Sequence, residues 1–254
     1  MRDSMIVYGV RPVVEALRAR RVLSLRVARR RDPAMAALLA EAASAGIVGS
    51  DVGAEALDRE TGGAAHQGVV ATVAVASDVT LEAMVSRRTP ALVVVLDGIE
   101  DPQNFGAILR VADAAGVNGV VRQTRHAAPL SSATAKASAG AIAHVPIASV
   151  VNVARALEEL KALGLWVVGL AGDGDRSHTE IDWSMPSVLV LGSEGSGLRR
   201  LVRERCDWLA RIPMHGAVDS LNVSTAAAVA LFEAERQRAG GQGVGGGRGG
   251  GHRR

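Results

Sequence analysis

The sequence predicts an α/β protein in two parts, and three observations support this prediction. Segments with the apolar spacing of helices alternate along the chain with short runs rich in Val, Ile and Leu that are typical of strands. Some of these runs, such as ALVVVL at 91–96, are apolar throughout, as in parallel strands that are covered on both faces. The pattern weakens over 77–90, which predicts a linker. We therefore expect a small α/β domain over 1–76 and a larger one over 91–239.

The first part alternates helices and strands. Apolar residues at helical spacing predict a helix over 8–20, with Pro12 tolerated in its first turn, and a second over 34–46 that ends at Gly46. A third helix is predicted over 55–62. Runs with strand character predict strands over 23–28, 47–52 and 67–76.

The second part has the strand–helix alternation of a mainly parallel sheet. Strands are predicted over 91–99, 119–123, 144–149, 165–172 and 187–192. Helices are predicted over 105–116, 131–142, 152–164 and 220–238. The segment 240–254 is too rich in glycine to bury an apolar surface, so we expect it to be a disordered Gly/Arg-rich tail.

The composition excludes several classes of protein. The chain has one cysteine, Cys206, which excludes an intramolecular disulfide and a multi-cysteine zinc site and favours a reducing cytoplasm. No apolar run approaches the roughly 20 residues of a membrane helix, and the first residues do not resemble a secretory signal. The net charge of +3 equals the charge of Arg248, Arg253 and Arg254, and residues 1–76 carry ten arginines against eight acids, so the first segment and the tail are suited to attract a polyanion. A GC-rich genome would give the same excess of arginine.

Polar loops that follow apolar strands are the candidate site, because open α/β sheets bind ligands at the carboxyl ends of their strands. In the first loop, Asp101, Pro102 and Asn104 predict a turn and helix start. Gly106 allows a close approach of the backbone, and Arg110 follows about one turn into the helix. An ordinary capped helix with a surface arginine would give the same pattern.

The second loop is GSEGSG at 192–197, where Gly192, Gly195 and Gly197 leave the backbone open to a ligand. It lacks the Lys of a phosphate-binding loop, and Glu194 would repel a phosphate but suit a hydroxyl, an amine or a sulfonium. A plain glycine turn is the alternative. The third loop places Ser220, Asn222 and Ser224 at the start of an apolar helix, and helix capping accounts for one or two of them.

These three loops, in this order, resemble the three sequence motifs of the SpoU (TrmH) class of RNA 2′-O-methyltransferases, within the SPOUT superfamily. The matching strings are DPQNFGAILR, LVLGSEGSGL and IPMHGAVDSLNVSTAAAVALFE. Near the front, YGVRPVVEAL and AAHQGVVATV are similar to the small RNA-binding domain of bacterial 23S rRNA guanosine 2′-O-methyltransferases. The resemblance implies a C-terminal trefoil-knotted methyltransferase domain behind a small N-terminal α/β RNA-binding domain.

The resemblance also implies the roles of particular residues. Gly192, Ile212 and Leu221 would contact S-adenosylmethionine, the methyl donor, and no metal is implied. Asn104 and Arg110 would meet the RNA, and Glu194 would shape the pocket. Ser220 and Asn222 would complete the active site. His215 lies nearby in sequence, but the family does not use a histidine there as a base.

The implied reaction is methylation of a ribose 2′-hydroxyl, of a guanosine in the peptidyl-transferase region of 23S rRNA. Members of the class act as homodimers in which one arginine often reaches the partner's site, and neither DNA nor a membrane is an implied partner. Arg110 is either the base that removes the hydroxyl proton or a clamp for phosphate and oxyanion charge, and a guanidinium that stays protonated favours the clamp. The alternatives are a tRNA 2′-O-methyltransferase and a non-catalytic rRNA-binding protein. A Rossmann-type oxidoreductase is excluded because no G-x-G-x-x-G follows a first strand.

Overall fold

The computed structural model describes residues 4–29, 32–74 and 78–241, and these form two sheets. The first sheet has four strands in the order β1-β4-β2-β3. Its β2–β3 pair is parallel, and its other two pairs are antiparallel. The strands are β1 (Ser4–Tyr8), β2 (Val22–Ala28), β3 (Gly49–Val52) and β4 (Val69–Ala74), and the helices are α1 (Val10–Arg18), α2 (Pro33–Ser44) and α3 (Ala54–Thr61).

The second sheet has seven strands in the order β7-β6-β5-β10-β8-β11-β9, and every neighbouring pair is parallel. The strands are β5 (Leu92–Asp97), β6 (Gly119–Gln123), β7 (Ile147–Val150), β8 (Trp166–Leu170), β9 (Arg176–Ser177), β10 (Ser187–Gly192) and β11 (Trp208–Arg211). The helices are α4 (Leu81–Val85), α5 (Pro102–Ala114), α6 (Ser132–Ala137), α7 (Val153–Ala162), α8 (Arg200–Arg203) and α9 (Val223–Gly241), with a 3₁₀ turn at Ala141–Ala143.

The predicted α/β class with a mainly parallel sheet is confirmed. Strands β1, β9 and β11 and helices α4 and α8 were not predicted. Helix α4 lies inside the stretch 77–90 that was predicted to be a linker, and its Leu81 and Met84 are buried. The predicted tail lies outside the described residues from 242 onward, and α9 continues to Gly241. No helix among the described residues is long and apolar enough to cross a bilayer.

The large sheet is covered on both faces, as the unbroken apolar runs predicted. On β5, Leu92, Val94 and Leu96 belong to the core that includes residues of α5 and α9. Val93 and Val95 belong to the opposite core, with residues of α4 and α7. A parallel strand buried on both faces has no position for a polar side chain until it ends, so the strand ends are where polar chemistry can begin.

Arg238 fixes α9 to the end of the sheet where β5 and β10 begin. Its guanidinium donates hydrogen bonds to the carbonyl oxygens of Pro90, Ala91, Trp183 and Met185, at 2.7 to 3.0 Å. Burial, with a contribution from Arg88, lowers the pKa of Arg238 to about 10. The start of α9 is thereby held at the opposite end of the same sheet, where its first residues meet the loops after β5 and β10.

The two sheets are joined through α6 and the 3₁₀ turn. Lys136 of α6 lies over the ring of Tyr8, 5.9 Å from its centroid, and His144 Nε2 is 3.0 Å from the carboxylate of Glu15. Helix α6 in turn packs against α5 at Gly106, where a Cβ would lie 2.4 Å from the Cβ of Ala137. The close approach expected at Gly106 is confirmed, and it is made by a neighbouring helix.

Candidate active site

A cleft of about 550 Å³ lies at the carboxyl ends of the central strands, and we call it the main cleft. One wall is the end of β8 at Leu170 with the residues that follow it, and another is the loop 192–197 after β10. The third wall is formed by Ile212, Met214 and residues 219–223 at the start of α9. The position of the main cleft agrees with the expectation that the polar loops after the strands meet at one edge of the sheet.

The loop after β10 is a tight backbone turn. Ser193 and Gly197 exchange two backbone hydrogen bonds, of 2.9 and 3.2 Å, and Gly195 and Gly197 have positive φ angles of 82° and 65°. A Cβ on Gly192 would lie 2.2 Å from the carbonyl carbon of Gly197. Glycine is therefore needed at 192 because the loop folds back onto it, and this exposes backbone groups to the main cleft.

Asn222 connects the three loops through its side-chain amide. Its Nδ2 donates to Asn104 Oδ1 at 2.9 Å and to Glu194 Oε1 at 2.7 Å. Its Oδ1 accepts from the backbone N–H of Ser224 at 2.9 Å, which caps α9, and from the Ser224 hydroxyl at 2.6 Å. Both amide hydrogens and the amide oxygen are engaged. The capping interpretation and the site interpretation of this loop therefore hold together in one side chain.

A second cavity, of about 320 Å³, adjoins the main cleft, and we call it the side cavity. It lies at the end of β5 and the start of α5, and it shares Ser193 and Glu194 with the main cleft. Asn104, which is 8% exposed, also lines it. The remaining lining residues are Gly98, Ile99, Glu100 and Asp101.

Six of the eight predicted site residues line the main cleft: Gly192, Glu194, Ile212, Ser220, Leu221 and Asn222. Asn104 lines the side cavity. Arg110 lines neither cavity; it is exposed on α5 and makes no side-chain hydrogen bond or ion pair within residues 4–29, 32–74 and 78–241. His215 is exposed and also lies outside both linings. The roles assigned to these residues remain predictions.

Asp97 and Arg199, a pair beside the glycine loop that lines neither cavity, were not found from the sequence. Asp97, the last residue of β5, is fully buried and binds Arg199, which follows the glycine loop. A carboxylate directly after six apolar residues was the available signal for Asp97. The position of Arg199 gave no signal because it depends on two distant segments meeting.

The residues of the main cleft fit S-adenosylmethionine. The volume of the main cleft is within the usual range for small-molecule sites, roughly 300 to 1,000 Å³. Glu194 and Asp219 are the charged residues of the lining, so the described part of the cleft carries negative charge and no positive charge. Such a lining favours an amine or a sulfonium and disfavours a phosphate. The apolar side chains of Leu191, Ile212 and Leu221 offer the surface that a nucleoside needs.

Comparison with known proteins gives matches along nearly the whole chain. The model of the SpoU rRNA Methylase family matches residues 91–232, and a model described as RNA 2′-O ribose methyltransferase substrate binding matches 6–78. The 23S rRNA (guanosine-2′-O-)-methyltransferase RlmB of Pseudomonas aeruginosa is 45% identical over 239 residues, which cover 91% of this chain and 96% of the relative. A putative TrmH family tRNA/rRNA methyltransferase of Bacillus subtilis is 46% identical over 68% of this chain and 71% of its own.

A solved structure has the same arrangement. The SpoU methyltransferase AviRb from Streptomyces viridochromogenes, in complex with the cofactor AdoMet (S-adenosylmethionine), superimposes with a TM-score of 0.80 at 28% identity. The superposition covers 93% of this chain and 91% of AviRb, so it includes both sheets.

Proposed function

This chain belongs to the SpoU rRNA methylase family, and from that membership we propose that it methylates the ribose 2′-hydroxyl of a guanosine in 23S rRNA. The methyl donor is S-adenosylmethionine, bound in the main cleft. The observation that supports this function most directly is the amide of Asn222, which joins Asn104 at the side cavity to Glu194 at the main cleft. The two cavities therefore meet at one polar wall, where a bound methyl group and an incoming hydroxyl can be brought together.

Positioning is the main task of the protein in this reaction. S-adenosylmethionine supplies the methyl group on a sulfonium, and the wall residues must align the ribose oxygen with that methyl. Asn104 Oδ1 is held by Asn222, and its Nδ2 donates to no residue within the described ranges. We propose that this free N–H donates to an oxygen of the target ribose, which enters through the side cavity.

Arg110 is proposed to bind the RNA phosphate next to the target and to stabilise the negative charge that develops on the 2′-oxygen. A guanidinium presents two parallel N–H groups to a phosphate and keeps its proton at working pH. A single-turnover methyl-transfer rate that stays constant between pH 7 and 9 is the expected result. A rate that rises tenfold per pH unit would assign Arg110 or another group as a titrating base.

The protein is proposed to act as a homodimer in which Arg110 serves the partner's main cleft. Arg110 lies outside both cavities of its own chain and is exposed without an intramolecular partner in the described residues. An arginine that the proposed reaction needs, but that lines neither cavity of its own chain, fits a site shared between two subunits.

The domain assignment is also part of the proposal. The sheet formed by β1 to β4 is proposed to bind RNA, as the substrate-binding family model over 6–78 indicates, and the large sheet to carry the reaction. The sheet of β1 to β4 is linked to α5 through α6. The RNA-binding part is therefore supported on the helix that carries Asn104 and Arg110. The trefoil knot and a cytoplasmic location are likewise proposed from the family and from the single cysteine.

The test is incubation of the protein with S-adenosylmethionine labelled in its methyl group and with separate transcripts of 23S rRNA and total tRNA. Label in 23S rRNA at a single guanosine is expected, with the methyl group on the ribose. A 2′-deoxy nucleotide at the mapped position should abolish the label. Label in tRNA alone would establish the alternative substrate, and no label with any RNA would leave a non-catalytic rRNA-binding protein.

A further inference from the structure

We propose that the side cavity takes the guanine base of the target nucleotide, and that the carboxylate of Glu100 accepts hydrogen bonds from its Watson–Crick edge. This inference rests on the proposed function and adds to it the residue that selects the base. The side cavity is the place for the nucleotide because it adjoins the main cleft and shares Ser193 and Glu194 with it. A ribose at that shared wall leaves its base directed toward the far wall, at residues 98–101.

The far wall of the side cavity offers hydrogen-bond acceptors. Its four residues, 98–101, include two carboxylates and no side chain that can donate. At the start of α5, Pro102 has no N–H and that of Gln103 is bound by the Asp101 carboxylate at 3.0 Å. The two carboxylates of the far wall disfavour a phosphate here, so the base is the part of the nucleotide that fits.

Glu100 is the carboxylate on this wall with both oxygens available. Oδ1 of Asp101 is occupied as the cap of α5, and the backbone oxygen of Ile99 accepts from Ala128 N at 2.8 Å. The Glu100 side chain is 65% exposed, and it lies near exposed His126, whose Nδ1 is 3.5 Å from Oε1. That separation is longer than an ordinary hydrogen bond, so both carboxylate oxygens can turn to a ligand.

Among the four bases, guanine is the one that matches a carboxylate. Its Watson–Crick edge has two adjacent donors, N1–H and the N2 amino group, which can bond both oxygens of one carboxylate. Adenine and cytosine each place a ring acceptor beside their amino group, and uracil has a single donor between two acceptors. Unpaired bases in RNA are commonly read in this way, through hydrogen bonds to the Watson–Crick edge.

The test compares RNAs with guanosine or inosine at the mapped position, since inosine lacks the N2 amino group. The wild-type protein should methylate inosine with a kcat/KM about tenfold lower, the low end for a hydrogen bond to a charged group. Glu100→Gln should methylate guanosine about tenfold more slowly and lose most of the discrimination. Glu82→Gln, at an exposed glutamate on α4 outside both cavities, is the matched control and should behave as wild type.

Three results would overturn the inference and leave the proposed function intact. Equal rates of the wild type on guanosine and inosine would show that the N2 group is not read. A Glu100→Gln protein that keeps the full discrimination would show that another residue reads it. Loss of S-adenosylmethionine binding in Glu100→Gln, measured by calorimetry, would show that the residue supports the main cleft. Failure of the wild type to methylate any ribose would instead refute the proposed function.

Discussion

The carboxylate of Asp97 binds Arg199 through both the backbone and the side chain of the arginine. Oδ2 accepts from Arg199 N at 2.8 Å, Oδ1 accepts from Nε at 2.6 Å, and Nη2 also contacts Oδ1. Asp97 has no exposed surface, whereas the Arg199 side chain is 50% exposed. Since Asp97 ends β5 and Arg199 follows the glycine loop, the pair fastens that loop to the neighbouring strand.

Asp97→Asn is therefore expected to weaken both the fold and the main cleft. Asparagine removes the negative charge that Arg199 contacts and puts an amide N–H in place of one acceptor oxygen. The loss of these charge-assisted hydrogen bonds should cost about 2 kcal/mol in the free energy of unfolding, since the half-exposed Arg199 stays hydrated. For a chain of this length the unfolding temperature should fall by roughly 4–8 °C. Affinity for S-adenosylmethionine, measured by calorimetry below the transition, should also fall. Arg200→Lys, at an exposed pair with Glu204, is the control; an equal effect of both changes would contradict the role of Asp97.

Gly192→Ala should remove cofactor binding by displacing the loop. The added methyl group would lie 2.2 Å from Gly197 carbonyl carbon, which is backbone and has no room to move without opening the turn. We expect the Kd for S-adenosylmethionine to rise about tenfold or more, equivalent to about 1.4 kcal/mol. Gly216→Ala is the matched control, because a Cβ there meets nothing within 4 Å and the φ angle is not positive. Unchanged affinity in Gly192→Ala would mean that the loop does not form the cofactor site.

Asn222→Asp separates the capping role of Asn222 from its role in the site. Asp caps a helix as well as Asn does, so the unfolding temperature should change little. The new carboxylate would lose the N–H donor and would face the Glu194 oxygen that now lies 2.7 Å from Nδ2. Turnover should fall on the order of a hundredfold, the scale of a lost alignment. Asn152→Asp, a cap of α7 that accepts from Arg155 N, is the control and should keep full activity.

Mixing two inactive proteins tests whether Arg110 acts across subunits. In a dimer of one Arg110→Ala chain and one Asn222→Asp chain, a shared site has one intact cleft that receives an intact Arg110. Activity should then reappear on mixing after dissociation and reassociation, at about one working site per mixed dimer. If Arg110 serves its own chain, each cleft keeps a defect and the mixture stays inactive. The two unmixed variants, treated in the same way, are the controls.

Cys206 is expected to react slowly with thiol reagents in the folded protein. Burial raises the pKa of this thiol to about 12 from an ordinary value of 9.0. Below pH 9 the thiolate fraction should thus be about a thousandfold lower in the folded chain than in the unfolded one. The rate of alkylation should climb with pH up to about 12 in buffer, and level off near pH 9 in urea. A rate in buffer equal to that in urea at pH 8 would contradict this burial.

Much of the fold was predictable from local patterns. The apolar run at 91–96 and the helical spacing at 152–164 correspond to β5 and α7 because burial on two faces or on one face leaves a direct trace in the sequence. The five-residue α4 is too short to show a helical pattern in the sequence, because its buried residues, Leu81 and Met84, mark one turn only. Strand β1 was missed because Tyr8 was assigned to the following helix.

The site was predictable to the extent that each loop has its own composition. Glycines at 192–197 and the polar start of α9 are local features of the sequence. Their order along the chain matched the order of the family motifs. The contact of Asn222 with Asn104 spans 118 positions, and that of Asp97 with Arg199 spans 102. Such pairs depend on where the strands lie in the sheet. No local sequence pattern predicts the strand order β5-β10-β8.

The wall of Ser193 and Glu194 between the two cavities has a thermodynamic consequence. A ligand on one side restricts side chains that also face the other, so the two binding free energies are coupled. Coupling of this kind is reciprocal: if S-adenosylmethionine raises the affinity for RNA by some factor, RNA raises the affinity for S-adenosylmethionine by the same factor. The Kd of one ligand, measured with and without the other, therefore gives the coupling for both. Neither ligand has to bind first, so the order of binding depends on their concentrations.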